Sequence, residues 1–337
     1  MKQYYVQRAS AGLVITEFTS IDNDAITFHR EPCIADDAQT AKWKEIVDAV
    51  HAAGGRIFCQ IAHGGRAAHP SCNGGKPGVS PSPIALTHRC GKDFNPSAEE
   101  VAYAEPPEEL TDAAADAIVA KFREAARRAV HVAGFDGVEV HAANGYLIDQ
   151  FLCATSNKRP ATSKYAGTSL ETRAGFLKAV LKEVTDEVGA GRVGMRISPL
   201  NSYQDMHRGE TAPDEVKFIA SIANDFGLAY LHVMRADFFG VQKGDVITPA
   251  RETLKGPALL VNMGFEIDEA KEGVAAGSFD AVAFGTKFLA NPDLPARIAA
   301  GAALNDPKAD LFYTGKVGDL TYTGPEGYTD YPPLTPN

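Results

Sequence analysis

Short apolar runs rich in β-branched residues recur along the chain, each closed by a polar or glycine-containing turn and followed by a segment with helical spacing of apolar positions. The runs cover 12–16, 56–61, 137–141, 193–198, 230–234, 258–261 and 281–284. Helical spacing is predicted over 37–53, 111–133, 169–188, 212–226, 267–276 and 291–301. In the second of these, Ala115, Ile118, Val119, Phe122, Ala125, Ala126 and Ala129 form one apolar stripe, with Thr111 as N-cap and Asp112 in the first turn. Strands buried on both faces and separated by amphipathic helices predict a parallel sheet, either open or closed into a barrel.

An open dinucleotide-binding sheet needs a Gly-x-Gly-x-x-Gly turn after an early strand, and no candidate strand ends that way. Seven strand–helix units instead predict a TIM-type (β/α)8 barrel in which only seven core strands are recognisable. The expected organisation is a single barrel domain over 1–337, with a long loop at 62–110 after a barrel strand and a C-terminal segment at 303–337. Barrels of this kind place their chemistry where strands end.

Composition narrows the partners. The 337 residues are 45% hydrophobic and 23% charged, ordinary for a globular chain and unlike disordered, collagenous or coiled-coil sequences. Net charge is −10, from 33 Lys and Arg against 43 Asp and Glu, and no basic block stands out, so no nucleic-acid partner is expected. No apolar run approaches the roughly 20 residues that cross a bilayer, and no membrane partner is expected. The first residues lack a signal-peptide pattern, so the expected location is cytoplasmic. Five cysteines, an odd number, read as reduced thiols. His69, Cys72, His88 and Cys90 are zinc-ligand types close in sequence, but without a Cys-x-x-Cys pair on what reads as a loop, no metal site is assigned.

The strand ends carry the candidate chemistry. Gln60 offers an amide able to donate and accept, suited to an uncharged heterocycle. His141 and Asn144, three apart, can aim two donors at one oxygen, with the Tyr146 phenol nearby, an arrangement that stabilises developing negative charge. Taken singly, each also reads as a satisfied core histidine, a turn asparagine and a tyrosine wedge. Arg196, among apolar neighbours, calls for an anionic or electron-rich partner, or else a structural salt bridge. The last two strand ends, with Met263, Gly264, Gly285 and Thr286, have glycines that admit a phosphate to backbone amides.

The chain resembles the Old Yellow Enzyme family of FMN-dependent ene-reductases over almost its whole length. The segments that carry the resemblance are 4–12, 60–66, 134–152 with its His-x-x-Asn-x-Tyr core, 156–159, 196–199, 280–285, 291–294 and 324–332. The resemblance implies that Gln60 and Arg196 contact the flavin ring and that Gly264, Gly285 and Thr286 lie at the FMN phosphate, with Phe18 and Met263 also against the cofactor. It further implies that His141 and Asn144 bind the substrate's carbonyl oxygen and that Tyr146 is the proton donor. NADPH or NADH is implied as transient reductant. Small activated alkenes, α,β-unsaturated carbonyl or nitro compounds, are the implied substrates, and a monomer or homodimer the implied assembly.

Departures from the family pattern bear on the cofactor. The chain begins inside what resembles the family's first helix, so the lid hairpin and first barrel strand are expected to be missing, leaving two sheet edges and an open core. Phe18 stands where the family has a small residue beside the flavin. Thr286 replaces an arginine at the phosphate, with Lys287 as the neighbouring cation. Ala62, where many relatives carry a bulky aromatic, implies a roomier pocket. Tyr313 and Tyr322 are both candidates for the aromatic that closes over the substrate. The competing reading is a non-catalytic, flavin-deficient barrel that binds ligands or partners.

Overall fold

Parallel pairing turns every second side chain of a strand to the same face, and here that alternation separates a helix-covered exterior from a partly polar interior. The computed structural model describes residues 1–28, 30–87, 106–312 and 324–334. Its strands are β1 (Val14–Ile15), β2 (Thr19–Ser20), β3 (Ile57–Ala62), β4 (Val79–Ser80), β5 (Glu108–Glu109), β6 (Gly137–Ala142), β7 (Val193–Ile197), β8 (Tyr230–Met234), β9 (Ala258–Asn262) and β10 (Ala281–Ala283). The main sheet runs β1-β3-β6-β7-β8-β9-β10, all parallel, with β2 also on β3. This is the curled, seven-strand wall of a TIM-type barrel. Among the described residues β10 and β1 do not pair.

Helices cover the outside. Asp37–Ala52 begins at Asp36, whose carboxylate accepts from the Gln39 amide in a capping box. Asp112–Arg127 begins at Thr111, whose hydroxyl accepts from the Ala114 amide as the sequence predicts, and it lies against Gly175–Val188. The apolar stripe of Ala115, Ile118, Val119, Phe122, Ala125 and Ala126 is buried. Among the described residues no helix is long and apolar enough to cross a membrane.

Several boundaries differ from the expectation. The run 12–16 pairs only at Val14 and Ile15, because the chain leaves the ladder at Thr16 and rejoins it at Thr19; the Thr16 hydroxyl meanwhile accepts from the Gln60 amide. The helix expected over 111–133 widens into a π turn at Arg128–Ala133 that ends on Gly134 in the left-handed region. The one over 169–188 divides into Leu170–Arg173, capped by Ser169, and Gly175–Val188. The one over 291–301 starts only at Leu294, after Pro292, and a separate turn, Thr286–Ala290, precedes it. The long loop after β3 holds the short pair of β4 and β5, and its residues 88–105 lie outside those described.

The first helix, Lys2–Gln7, is fastened to the end of the chain. Tyr4 stacks on Tyr328 with ring centres 4.7 Å apart, and Gln7 donates to the Thr329 carbonyl. Arg8 donates to the carbonyls of Phe288 and Leu289.

Two interior glycines make room for rings at the barrel floor. A Cβ on Gly194 would stand 2.1 Å from the Tyr230 ring, and one on Gly137 would stand 2.5 Å from Phe58. Gly194→Ala therefore overpacks the floor and should cost about 1–3 kcal/mol in urea unfolding. Gly191→Ala, whose Cβ meets nothing within 4 Å, serves as the near-neutral control; equal stability of the two variants would contradict this packing.

Candidate active site

Four adjacent strands each turn a polar side chain into the barrel. Gln60 comes from β3, Glu139 from β6, Arg196 from β7 and His232 from β8, and all four line a cavity of about 940 Å³ that extends towards the gap between β10 and β1. Glu139 has no exposure at all. Its Oε1 accepts from Gln60 Nε2 at 2.7 Å, and its Oε2 lies 2.9 Å from His232 Nδ1. Burial alone would raise the Glu139 pKa, but the His232 charge and hydrogen bond, the Arg196 charge and the Gln60 amide together hold it down at about 2. The carboxylate is ionised at any ordinary pH.

Arg196 has no carboxylate within ion-pair distance among the described residues. Its Nε is buried without a partner, and among the described residues its side-chain hydrogen bond is to Met234 Sδ at 3.9 Å. The Asn262 amide oxygen, at the end of β9, is likewise buried and unpartnered. Polar atoms left unsatisfied on a cavity wall are costly unless a ligand meets them.

A second group stands at the end of β6, and Arg196 pairs in register with its first member, His141. The His141 ring lies 5.1 Å from the Tyr146 ring, centre to centre. His141 Nδ1 accepts from the Ala143 amide at 3.3 Å, which leaves the proton on Nε2. Burial and the Arg196 charge push the His141 pKa down to about 3, so the imidazole is neutral. Asn144 sits in the left-handed region, φ 55°, followed by Gly145 at 73°. The Asn144 amide donates to Ser198 Oγ at 2.6 Å, and the side-chain Oδ1 is buried without a partner. Tyr146 is the N-cap residue of the helix Leu147–Leu152 and is buried. Behind this helix Asp149 accepts from the Gly145 amide and pairs with Arg208, which also binds Glu215.

Phe18, in the stretch where the chain leaves the ladder between β1 and β2, packs edge-on against Tyr146 at 4.7 Å and His141 at 5.5 Å. It touches His141 and Tyr146 and does not line the cavity that holds Gln60 and Arg196.

Towards the last strands, Gly285 lines the cavity, whereas Met263, Gly264 and Thr286 do not. Met263 and Gly264 both have positive φ, 85° and 69°, and an added Cβ on Gly264 or Gly285 would meet only open space. Arg235, unmarked in the sequence reading, fixes this turn by donating to the carbonyls of Met263 and Gly264. The Lys287 ammonium is engaged by the Phe265 carbonyl and Glu266, so it is already committed away from the role of substitute for an arginine. Tyr313 and Tyr322 lie outside the described residues, as do His88 and Cys90. The His69 Nδ1 is 2.6 Å from Ser71 Oγ, and no cluster of three metal-ligating side chains occurs among the described residues.

Sequence reading also missed Glu139, His232, Thr16 and Ser198. The available signal was the alternation: in a barrel strand containing His141 or Arg196, the residue two positions away also faces inward.

Fold and site together define a parallel βα-barrel protein with its polar groups on the inner wall and at the strand ends. The chain matches the NADH:flavin oxidoreductase / NADH oxidase family over residues 1–305 and belongs to that family. It is 46% identical over 334 residues to a Leishmania infantum protein named "Probable flavin mononucleotide-dependent alkene reductase", covering 98% of this chain and 87% of that one. The solved structure of the old yellow enzyme from Trypanosoma cruzi superposes with a TM-score of 0.88 at 38% identity, covering 99% and 89% of the two chains. That of morphinone reductase in complex with tetrahydroNAD gives 0.87 at 37% identity, covering 99% and 88%.

The neutral state of His141 has a consequence for acid stability. Its folded pKa of about 3 lies below the ordinary value of 6.5, so the unfolded chain takes up the proton first. The contribution is complete above pH 6.5 and is lost progressively as pH falls towards 3. Replacing the imidazole in His141→Asn should flatten the decline of unfolding free energy between pH 6.5 and 4. Identical slopes for the variant and the parent in urea titrations would contradict the assignment.

Proposed function

We propose that this chain is an FMN-dependent ene-reductase that uses NADH or NADPH to reduce the C=C bond of α,β-unsaturated carbonyl or nitro compounds. The observation that carries the reading is the convergence of a neutral imidazole, a carboxamide and a phenol at the end of β6, in register with an arginine that has no anionic partner in hydrogen-bond reach among the described residues.

The residues present fit the cofactor. A flavin ring carries one imide N–H and several acceptor atoms, matched by the Gln60 carbonyl and by the Arg196 guanidinium, whose Nε is unpartnered, on the cavity wall. The open space at Gly264 and Gly285 leaves room for a phosphate near backbone amides. Gln60, Arg196, Gly285 and the Met263–Gly264 turn would hold the group. When bound, FMN supplies the two-electron transfer from nicotinamide to the β-carbon of the alkene.

The remaining steps belong to side chains. His141 donates from Nε2 and Asn144 from its side-chain Nδ2 to the substrate oxygen, drawing electron density from the double bond and stabilising the negative charge that grows on that oxygen. A neutral imidazole serves here because it donates without surrendering its proton. Tyr146 then delivers a proton to the α-carbon, whose basicity in the enolate makes a phenol a sufficient acid. Phe18, edge-on to both rings, forms one wall of the substrate space.

Tyr146→Phe should lower the rate of alkene reduction about 10²–10⁴-fold, the usual range for a general acid, with flavin reduction by NADPH unchanged in stopped-flow traces. Slowing of both half-reactions alike would contradict the role of Tyr146.

A further inference from the structure

The Gln60 side chain can face the cavity in either of two ways, presenting a carbonyl oxygen or an NH₂ group, and the two are opposite in hydrogen-bonding character. The choice is made by Glu139. An ionised carboxylate only accepts, and Glu139 is wholly buried, with Oε1 2.7 Å from the Gln60 amide nitrogen. Gln60 must therefore turn its NH₂ inward to the carboxylate, which leaves its carbonyl oxygen for the cavity that it lines. The other Glu139 oxygen is taken by His232 Nδ1 at 2.9 Å, so the carboxylate is braced from two strands. The Gln60 main chain is fixed as well, its amide donating to Thr16 Oγ1 at 2.9 Å. Next along the wall, Arg196 carries its guanidinium charge with an unpartnered Nε and, among the described residues, no carboxylate within ion-pair distance.

The stretch of wall from Gln60 to Arg196 thus offers an acceptor beside a cation. The pyrimidine edge of an isoalloxazine offers the complement, the N3–H donor beside acceptor oxygen and nitrogen. We propose that Glu139 is a positioning residue: it sets the Gln60 amide with its oxygen towards the flavin N3–H, and its charge balances Arg196 beneath the pyrimidine ring. The inference rests on the FMN reading above. It adds a fully buried residue that acts through Gln60 and Arg196 on how the cofactor is held and how readily it is reduced.

The test is a double-mutant cycle on the full chain, read by FMN affinity and flavin midpoint potential. Glu139→Gln keeps the shape but removes the charge and lets the Gln60 amide turn over. It should weaken FMN binding about tenfold, the loss of one charge-assisted hydrogen bond, and raise the potential, because a negative charge near the ring is gone. In a Gln60→Ala background the same substitution should leave FMN affinity unchanged while still raising the potential. An equal loss of affinity in both backgrounds, or a Glu139→Gln protein indistinguishable from the parent, overturns the proposal.

Should Glu139→Gln fail to fold, the parent protein still decides the matter through FMN labelled with ¹⁵N at N3. A protected N3–H resonance in the parent, lost in Gln60→Ala, supports the carbonyl orientation; an unprotected one overturns it. A parent chain that takes up no FMN at all would remove the cofactor reading itself and this inference with it, an outcome distinct from normal uptake with an unaltered Glu139→Gln variant.

Discussion

A carboxylate with no access to water sits in the wall of the barrel, and the polar interior is organised around meeting its cost. Burying an unpaired carboxylate is prohibitive, whereas one that holds hydrogen bonds and neighbouring charge is tolerated and confers definite geometry. Glu139 receives Gln60 from one neighbouring strand and His232 from two strands along the other side, and it lies within the electrostatic reach of Arg196. These contacts depend on parallel pairing that brings Gln60 opposite Glu139 and His141 opposite Arg196. A one-residue slip in any of these strands would turn the polar set out against the helices.

From that layer the site extends in two directions. Along β6, two residues beyond Glu139, the chain reaches His141 and then turns through Asn144 and Gly145 into the helix that begins after Tyr146. The turn is braced from outside by Ser198, which accepts from the Asn144 amide, and by Asp149, which accepts from the Gly145 amide. Along β9 the chain ends in the Met263–Gly264 turn held by Arg235. The rigid wall and two braced turns supply the preorganisation that the proposed oxygen-polarising role requires, because donors fixed beforehand need not reorganise as charge develops.

The barrel architecture was legible because buried parallel strands carry β-branched runs and the covering helices carry 3.6-residue stripes, as in Asp112–Arg127. Short helices such as Leu147–Leu152 escaped because six residues hold too little periodicity to register. The break at Thr16 escaped because its cause is a distant one, a hydroxyl that replaces a ladder partner for Gln60. Among the site residues, His141, Asn144, Tyr146, Gln60 and Arg196 were marked by their positions at strand ends. Glu139 and Arg235 were not, since a lone acidic residue in a strand and an arginine after one acquire meaning only from contacts with residues 79 and 28 positions away. Phe18 was marked as a ring beside the cofactor, and its rings of contact are His141 and Tyr146.

The central claim is that this wall, with its gap between β10 and β1, receives a flavin. It is tested most directly by adding FMN to the purified chain, removing free flavin by gel filtration and recording the visible spectrum of the protein peak. The account predicts a yellow protein with FMN and chain in equal amounts and an absorption band perturbed from that of free flavin. A colourless peak, with all the FMN in the small-molecule fraction, would contradict it.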